Sequence, residues 1–410
     1  MKETGPRFET STTPVSFFTS TYRSGVHVVV APDKFKGTLS ASEAAEALAR
    51  GVRAAIPHVS LALRPIGDGG EGTIDALLVA HGGRVSAKQV SGPLGDPVEA
   101  SFAHLADGSC ALEMAGASGL TLVDPDRRDA LASSTLGLGE LIAAALADGA
   151  RRVLIGLGGS ASTDGGTGAA RAVGWRFLDE GGAELPLGGG SLRDLARIDY
   201  SGVRPEITAT SFVAACDVDS PLLGQSGAAR VFAPQKSASP EEVEILEEGL
   251  ATLAGRIKED LGIDVAELPG AGAAGGTGAG LRAFFGAELG TGFEVVANAT
   301  NLRDEIEQAD LVVTGEGSLD DQSLGGKAPV GVARIARDLQ VPCYAVAGEV
   351  SADPGALKRQ GILGSASLIE AVGKDRAFAD PAGAIVVATK ALIRQHVTEG
   401  SGRERRTWPI

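Results

Sequence analysis

Regular structure opens with an almost continuous apolar run, Val26-His27-Val28-Val29-Val30-Ala31, closed by Pro32 and Asp33. A β-branched run of this length predicts a strand buried on both faces. Ser40 and Glu43 have the spacing of a capping box, and Ala44, Ala45, Leu48, Val52, Ala55 and Ile56 recur at helical spacing as far as Pro57. Leu61 to Ile66 reads as a second strand; the loop Gly67-Asp68-Gly69-Gly70-Glu71-Gly72-Thr73 and a helix through Ala80 follow. Alternating strands and helices, with a polar loop after each strand, predict a parallel α/β sheet.

From Gly82 the rhythm shortens. Segments 84–90, 97–104 and 109–114 read as short strands with Asp107-Gly108 as a hairpin signal, an antiparallel meander. Ser133-Ser134-Thr135 precedes a helix reaching Asp148, Gly149 stops it, and an apolar run from Val153 opens into Gly156-Leu157-Gly158-Gly159-Ser160-Ala161-Ser162-Thr163-Asp164-Gly165-Gly166. A strand at 207–215 leads into Cys216-Asp217-Val218-Asp219, and Ser239, Pro240 and Glu242 start an amphipathic helix to Leu261. A Gly/Ala run from Pro269 to Gly280 then turns helical. From about Val295 the first rhythm returns: helix 301–308, strand 311–314, loop 315–327, helix 329–339, strand 342–347 and a last helix from Asp380-Pro381 to about Gln395. The expected fold is α/β with two domains. A Rossmann/flavodoxin-like parallel-sheet domain comes from both chain ends (26–83 and 295–398), and an α/β domain with a mixed sheet is inserted between them (84–294). Residues 1–25, Thr/Ser-rich and without an apolar core, predict a disordered extension.

Composition narrows the chemistry. Glycine numbers 58, about twice its usual share, and no repeat accounts for the excess, so it belongs to loops and close packing. A net charge of −15 argues against nucleic-acid and anionic-membrane partners. Any anionic ligand then needs a local cluster of cations and N–H donors. Cys110, Cys216 and Cys343 are scattered, which indicates neither a disulfide framework nor zinc and fits a reducing cytoplasm. No apolar run reaches the roughly 18 residues of a membrane span. Monomer and homodimer are both compatible with the sequence.

Five loops share one grammar, in which a strand ends and glycine follows with a carboxylate: Asp33-Lys34-Phe35-Lys36-Gly37, the Asp68–Glu71 loop, the Gly158–Gly166 loop, Cys216–Asp219, and Gly315-Glu316-Gly317-Ser318-Leu319-Asp320. Ligands in open α/β sheets bind beyond the carboxyl ends of strands, so such loops can converge on one crevice. Each alone is also an ordinary turn. Gly156, Gly158 and Ala161, with Asp179 further on, outline a dinucleotide fingerprint. Its helix should begin at once, yet Ser162 to Gly166 intervene. A P-loop is ruled out because Asp321 stands where its first glycine is required and Ala328 follows Gly326-Lys327. Lys327 before the Pro329 helix, Lys34 and Lys36 flanking Phe35, and Lys236 are the candidate phosphate-binding cations; Asp217 and Asp219 could face Mg²⁺. An NAD-dependent hydroxy-acid dehydrogenase and a non-catalytic small-molecule sensor remain open on these residues alone.

Taken together, the motifs resemble the glycerate kinase family of the bacterial glycerate 2-kinase type. They run in order as A-P-D-K-F-K-G-T-L-S-A from Ala31, P-I-G-D-G-G-E-G-T from Pro65, G-L-G-G-S-A-S-T-D-G-G-T-G-A from Gly156, C-D-V-D-S-P-L-L-G from Cys216, F-A-P-Q-K from Phe232, L-P-G-A-G-A-A-G-G from Leu268 and T-G-E-G-S-L-D-D-Q-S-L-G-G-K from Thr314. The resemblance implies ATP-dependent phosphorylation of D-glycerate with Mg²⁺, at the 2-hydroxyl, in a cleft between two domains. On that reading Asp164 orients or deprotonates the hydroxyl, with Lys36 and Lys327 neutralising phosphate oxygens. Asp33, Lys34, Gly158, Gly159, Ser160, Gly165, Gly166, Lys236, Gly315, Gly317 and Asp320 are expected to bind substrate or phosphate. Asp68, Glu71, Asp217 and Glu316 are the expected metal ligands.

Overall fold

The computed structural model describes residues 25–397, except Lys36, Asp68, Glu71, Gln322, Gly326 and Lys327. The expected extension therefore lies, but for Gly25, outside the described residues. Thirteen strands are described: β1 His27–Val30, β2 Ser60–Leu63, β3 Gly83–Ser91, β4 Pro97–Leu105, β5 Cys110–Glu113, β6 Arg152–Leu157, β7 Arg176–Leu178, β8 Arg197–Asp199, β9 Ser211–Cys216, β10 Glu288–Thr291, β11 Leu311–Leu319, β12 Cys343–Val350 and β13 Ile362–Ser367.

The first sheet has the order β13-β12-β11-β1-β2 and every pairing in it is parallel. Counted along the chain this is the 2-1-3-4-5 order of flavodoxin-like sheets, with its topological switch between β1 and β11. Side chains alternate across it: Val28 and Val30 join Leu48 and Ile385 on one face, while Val29 joins Val312, Ile306 and Val330 on the other. Both faces are covered, which is why β1 reads as unbroken valine.

The second sheet, β10-β9-β6-β5-β4-β3, is mixed: β10, β9, β6 and β5 run parallel and the β3–β4–β5 meander antiparallel. Phe102, Leu112, Val153, Ile155 and Phe212 enter the large core on one face. On its other face Ala103, Ala111, Leu154 and Ala215 meet Leu77 of helix Thr73–His81 and Val295 and Ala299 of helix Gly292–Ala299. Val296 and Ala297 of that second helix belong to the core of the first sheet. One eight-residue helix is thus wedged between the two sheets.

Local signals formed the elements they predict. Ser40–Glu43 and Ser239–Glu242 are both complete capping boxes. Strand β11 runs further than expected: Gly315 to Leu319, read as loop, stay in register with β12 as far as Leu319 opposite Val350. Ladder pairing there overrides the low strand propensity of two glycines. The dinucleotide outline is absent as a unit. The helix after β6 begins only at Thr167, and β7, which precedes Asp179, pairs with β8 in a separate two-stranded sheet.

Candidate active-site cleft

The β1–β11 switch point opens into a cleft of about 1010 Å³. Two backbone-level bonds set its inner end: the Asp33 N–H donates to the Gly315 carbonyl at 2.8 Å, and Thr314 Oγ1 donates to the Ala31 carbonyl at 2.7 Å. They hold the loop after β1 against β11, so Asp33 and Lys34 line the cleft beside Glu316, Gly317 and Ser318. Phe35 turns the other way into the core at 2% exposure. Asp217 and Asp219, after β9 of the second sheet, face the same space. Six of the residues predicted from sequence, Asp33, Lys34, Asp217, Asp219, Glu316 and Gly317, are therefore gathered in one place by elements from both sheets.

The Gly158–Gly166 loop is placed differently. Asp164 has no solvent exposure. Its Oδ2 accepts from the Thr135 N–H at 2.9 Å, Thr135 Oγ1 at 2.8 Å and the Gly168 N–H at 3.1 Å, and its Oδ1 accepts from the Gly166 N–H at 3.1 Å. Thr135 is the N-cap residue of helix Leu136–Ala147, and its own side chain makes no cap bond. The carboxylate of Asp164 reaches across and serves that helix start and the following helix, Thr167–Arg171, at once. Asp164, expected to meet a substrate hydroxyl, is buried with both oxygens engaged and does not line the cleft. Gly165 and Gly166 are buried with it against the helices Pro240–Leu261 and Ala273–Phe285.

Lys236 is likewise interior, at 2% exposure. Its Nζ donates to the Ser162 carbonyl and, at 3.5 Å, to Thr163 Oγ1. Burial pushes the ammonium down to about 8, against the pull of the Asp164 carboxylate. Gly275 closes the other side. With φ +68°, in a left-handed run with Ala274 and Gly276, it leaves no room for a Cβ, which would lie 2.9 Å from Lys236 Nζ. Lys236, expected to bind phosphate, is placed in this structure as an internal strut.

The remaining candidates divide. Gly158 is half-buried, Gly159 exposed and Ser160 buried; the last is held by Ser162 and by a bridge to Gly119. None of the three lines the cleft. Asp320 accepts from the Ser323 N–H at 2.9 Å in a turn beside it, and Gly315 is buried in β11. Lys36, Asp68, Glu71 and Lys327 lie outside the described residues.

Other cleft residues escaped the sequence reading. Phe293 and Asn298 come from the wedged helix, and Gly331, Arg334, Ile335 and Asp338 share one face of helix Ala328–Asp338. A lone glycine inside that helix was the available signal, since such a residue marks close approach. Glu113, at the end of β5, accepts from the Gly72 and Ile74 N–H groups at 3.0 and 2.9 Å and so tethers the Asp68–Glu71 loop. Cys216 lines the cleft, but burial pushes its thiol up to about 12, helped by Asp217 and Asp219, so it carries no thiolate.

Among the described lining residues six carboxylates face two cations, Lys34 and Arg334. No group of three His, Cys, Asp or Glu close enough to cage a metal ion occurs among the described residues. Mg²⁺ needs no such cage: one or two carboxylates suffice when phosphate oxygens and water complete the octahedron. The donor set therefore fits a Mg²⁺ ion carried by a phosphorylated ligand.

Comparison with known proteins agrees with this architecture. The model of the glycerate kinase family matches residues 28–397. The glycerate 2-kinase of Escherichia coli K12 is 45% identical over 353 residues, 86% of this chain and 93% of its own length. A glycerate kinase of Bacillus subtilis is 45% identical over 336 residues, 82% and 88% of the two chains. A solved structure described as glycerate kinase 2 from Salmonella typhimurium LT2 superposes with a TM-score of 0.84 at 40% identity, over 92% of this chain and 99% of that one. The chain belongs to the glycerate kinase family.

Proposed function

We propose that the chain transfers the γ-phosphoryl group of ATP to the 2-hydroxyl of D-glycerate, giving 2-phosphoglycerate, with Mg²⁺ in the cleft at the β1–β11 switch point. The kinase activity itself, ATP-dependent phosphorylation of glycerate, is that of its family. The observation that carries the choice of site is the convergence of Asp33, Lys34 and Glu316 on Asp217 from the opposite sheet. Phosphoryl transfer asks for positioning and charge neutralisation more than for covalent chemistry, and this crossing supplies both.

In this reading Asp217 and Glu316 hold Mg²⁺, joined by Asp68 and Glu71 from the loop that Glu113 tethers. Mg²⁺ held by these carboxylates would supply positive charge against the negative charge that develops during transfer. Lys34, with Lys36 and Lys327, neutralises the remaining phosphate and carboxylate charge. Asp33, fixed by Gly315, takes the role of orienting the acceptor hydroxyl, and Asp164 supports the loop architecture instead. We place the unit boundary at the wedged helix and helix Thr73–His81, both of which pack on the second sheet. No helix among the described residues is long and apolar enough to cross a membrane, and a cytoplasmic site suits three cysteines that are all free.

The test is ADP release with ATP, Mg²⁺ and D-glycerate, the product identified by phosphorus NMR. 3-Phosphoglycerate would overturn the regiochemistry. Absence of ADP release would overturn the substrate, and nicotinamide reduction with a hydroxy acid would replace the kinase.

A further inference from the structure

ATP brings a flat aromatic base, and the chain is poor in aromatic residues. The cleft answers this with a single one among its described lining residues, Phe293. It stands in the first turn of the wedged helix, half-buried. Its ring lies against helix Ala328–Asp338 at Gly331, where a Cβ would fall 2.5, 2.6 and 2.8 Å from three ring carbons. Any larger residue at 331 would push the ring off the helix. Glycine in a helix interior costs stability, so this position gives up helix propensity to seat the ring.

Around it the same helix face continues one and two turns on through Arg334, Ile335 and Asp338, the i, i+3, i+4, i+7 stripe. The Arg334 guanidinium is held from behind, Nε donating to Gln360 Oε1 at 2.8 Å and Nη2 to the Leu324 carbonyl at 3.3 Å. Ala328, at the phosphate end, and Asp338 are ten residues apart, a rise of about 15 Å. That span lets a nucleotide lie along the helix with its phosphates beside Asp33 and Glu316 and its base between Phe293 and Ile335.

The geometry points to a nucleobase subsite between helices Gly292–Ala299 and Ala328–Asp338, with the Phe293 ring as stacking platform, Ile335 as the opposite apolar wall and Gly331 as the notch that seats the ring. It rests on the kinase reading for the identity of the nucleotide, while the slot itself rests on the cleft. Phe293 is a specificity residue; it touches the base, not the reacting phosphoryl group.

The experiment compares wild type, Phe293→Ala, Phe293→Tyr and Gly331→Ala, with ADP and inorganic tripolyphosphate, each in saturating Mg²⁺, as binding probes by calorimetry and with KM for ATP and glycerate measured separately. Stacking of one base on an aromatic ring corresponds to roughly 10- to 100-fold in affinity. Phe293→Ala is expected to weaken ADP by that factor and raise KM for ATP alike, with tripolyphosphate affinity and KM for glycerate within about twofold. Phe293→Tyr should restore ADP binding. Gly331→Ala, which leaves every helix hydrogen bond in place, should weaken ADP in the same sense. Equal loss of ADP and tripolyphosphate, or a rise confined to KM for glycerate, overturns the subsite. Because ADP binding is read without turnover, a wild type inactive on glycerate would sink the proposed substrate and leave the subsite to stand or fall on its own binding data.

Discussion

Removing the Asp164 carboxylate separates a structural acid from a catalytic one. Four donors converge on it in the interior, three on Oδ2 and one on Oδ1. Asp164→Ala leaves all four unpaired, and also leaves the buried Lys236 ammonium without its countercharge. A buried donor stranded in this way costs on the order of 1–3 kcal/mol, and the loss of the Asp164 charge leaves the desolvation of the Lys236 ammonium less compensated. These overlap, so the expected loss is about 4 kcal/mol. Asp164→Asn is milder: its carbonyl can take the three-donor position, so one N–H, that of Gly166, faces an amide NH₂, at about 2 kcal/mol.

The assay is equilibrium urea unfolding followed by tryptophan fluorescence. Trp175 reports the right unit, since it sits in the large core of the second sheet with its ring 5.0 Å from that of Phe284. With an m-value of about 3 kcal/mol/M, 4 kcal/mol moves the midpoint down by about 1.3 M for Asp164→Ala and half as much for Asp164→Asn. Activity of the Asn variant, measured well below its transition, should fall less than about tenfold. An unchanged midpoint together with a loss of kcat of about 1000-fold or more would refute the reasoning and return Asp164 to the reacting hydroxyl.

Lys236→Met tests the strut through pH. The folded pKa of about 8 lies below the ordinary 10.5, so the unfolded chain binds the extra proton between those values and wild-type stability rises across that window. The gap between wild type and variant should therefore shift by about 3 kcal/mol in favour of wild type from pH 8 to 10.5; a gap independent of pH would mean that the folded lysine keeps its ordinary pKa and would refute the buried strut. Asp217→Asn and Glu316→Gln should each raise the Mg²⁺ concentration for half-maximal activity by about tenfold or more. Asp217→Asn, being exposed, should leave the urea midpoint in place. Cys110, Cys216 and Cys343 are all buried and burial raises every one of the three thiols. A disulfide reagent at pH 8 should therefore find no reactive thiol in native protein and three in urea.

Much of the fold was legible because its signals are local. Capping boxes at Ser40 and Ser239 span three residues, and the valines of β1 carry their own two-sided burial. Strand β13, Ile362-Leu363-Gly364-Ser365-Ala366-Ser367, carries no such pattern and exists through its pairing with β12. The site was half legible for the same reason. Asp217 directly follows β9, Asp33 follows β1 within three residues and Glu316 lies in the C-terminal half of β11, so topology alone delivers them to the crevice. Asp164 has the same glycine-rich surroundings as a phosphate loop, and what decides its role is Thr135, 29 residues earlier. Glu113 meets Gly72 and Ile74 about forty residues away. Phe293 carries no signal in its own neighbourhood, because the Gly331 that seats its ring lies 38 residues further on.

The charge of the cleft ties these residues together. Six carboxylates against two cations among the described lining residues would repel a bare triphosphate, in a chain whose net charge is already −15. Two like charges 4 Å apart cost about 4 kcal/mol at a surface-like dielectric, so the excess acid is tolerable only if a cation enters with the ligand. On the proposed reading a Mg²⁺–nucleotide complex would turn the nearest carboxylates from repelling groups into ligands, with Lys34 and Arg334 offsetting part of the remaining charge. The acids then do more than hold the ion. On the same reading they would also disfavour phosphates that arrive without one, so selectivity for the metal complex over free nucleotide would follow from the residues proposed to bind the metal.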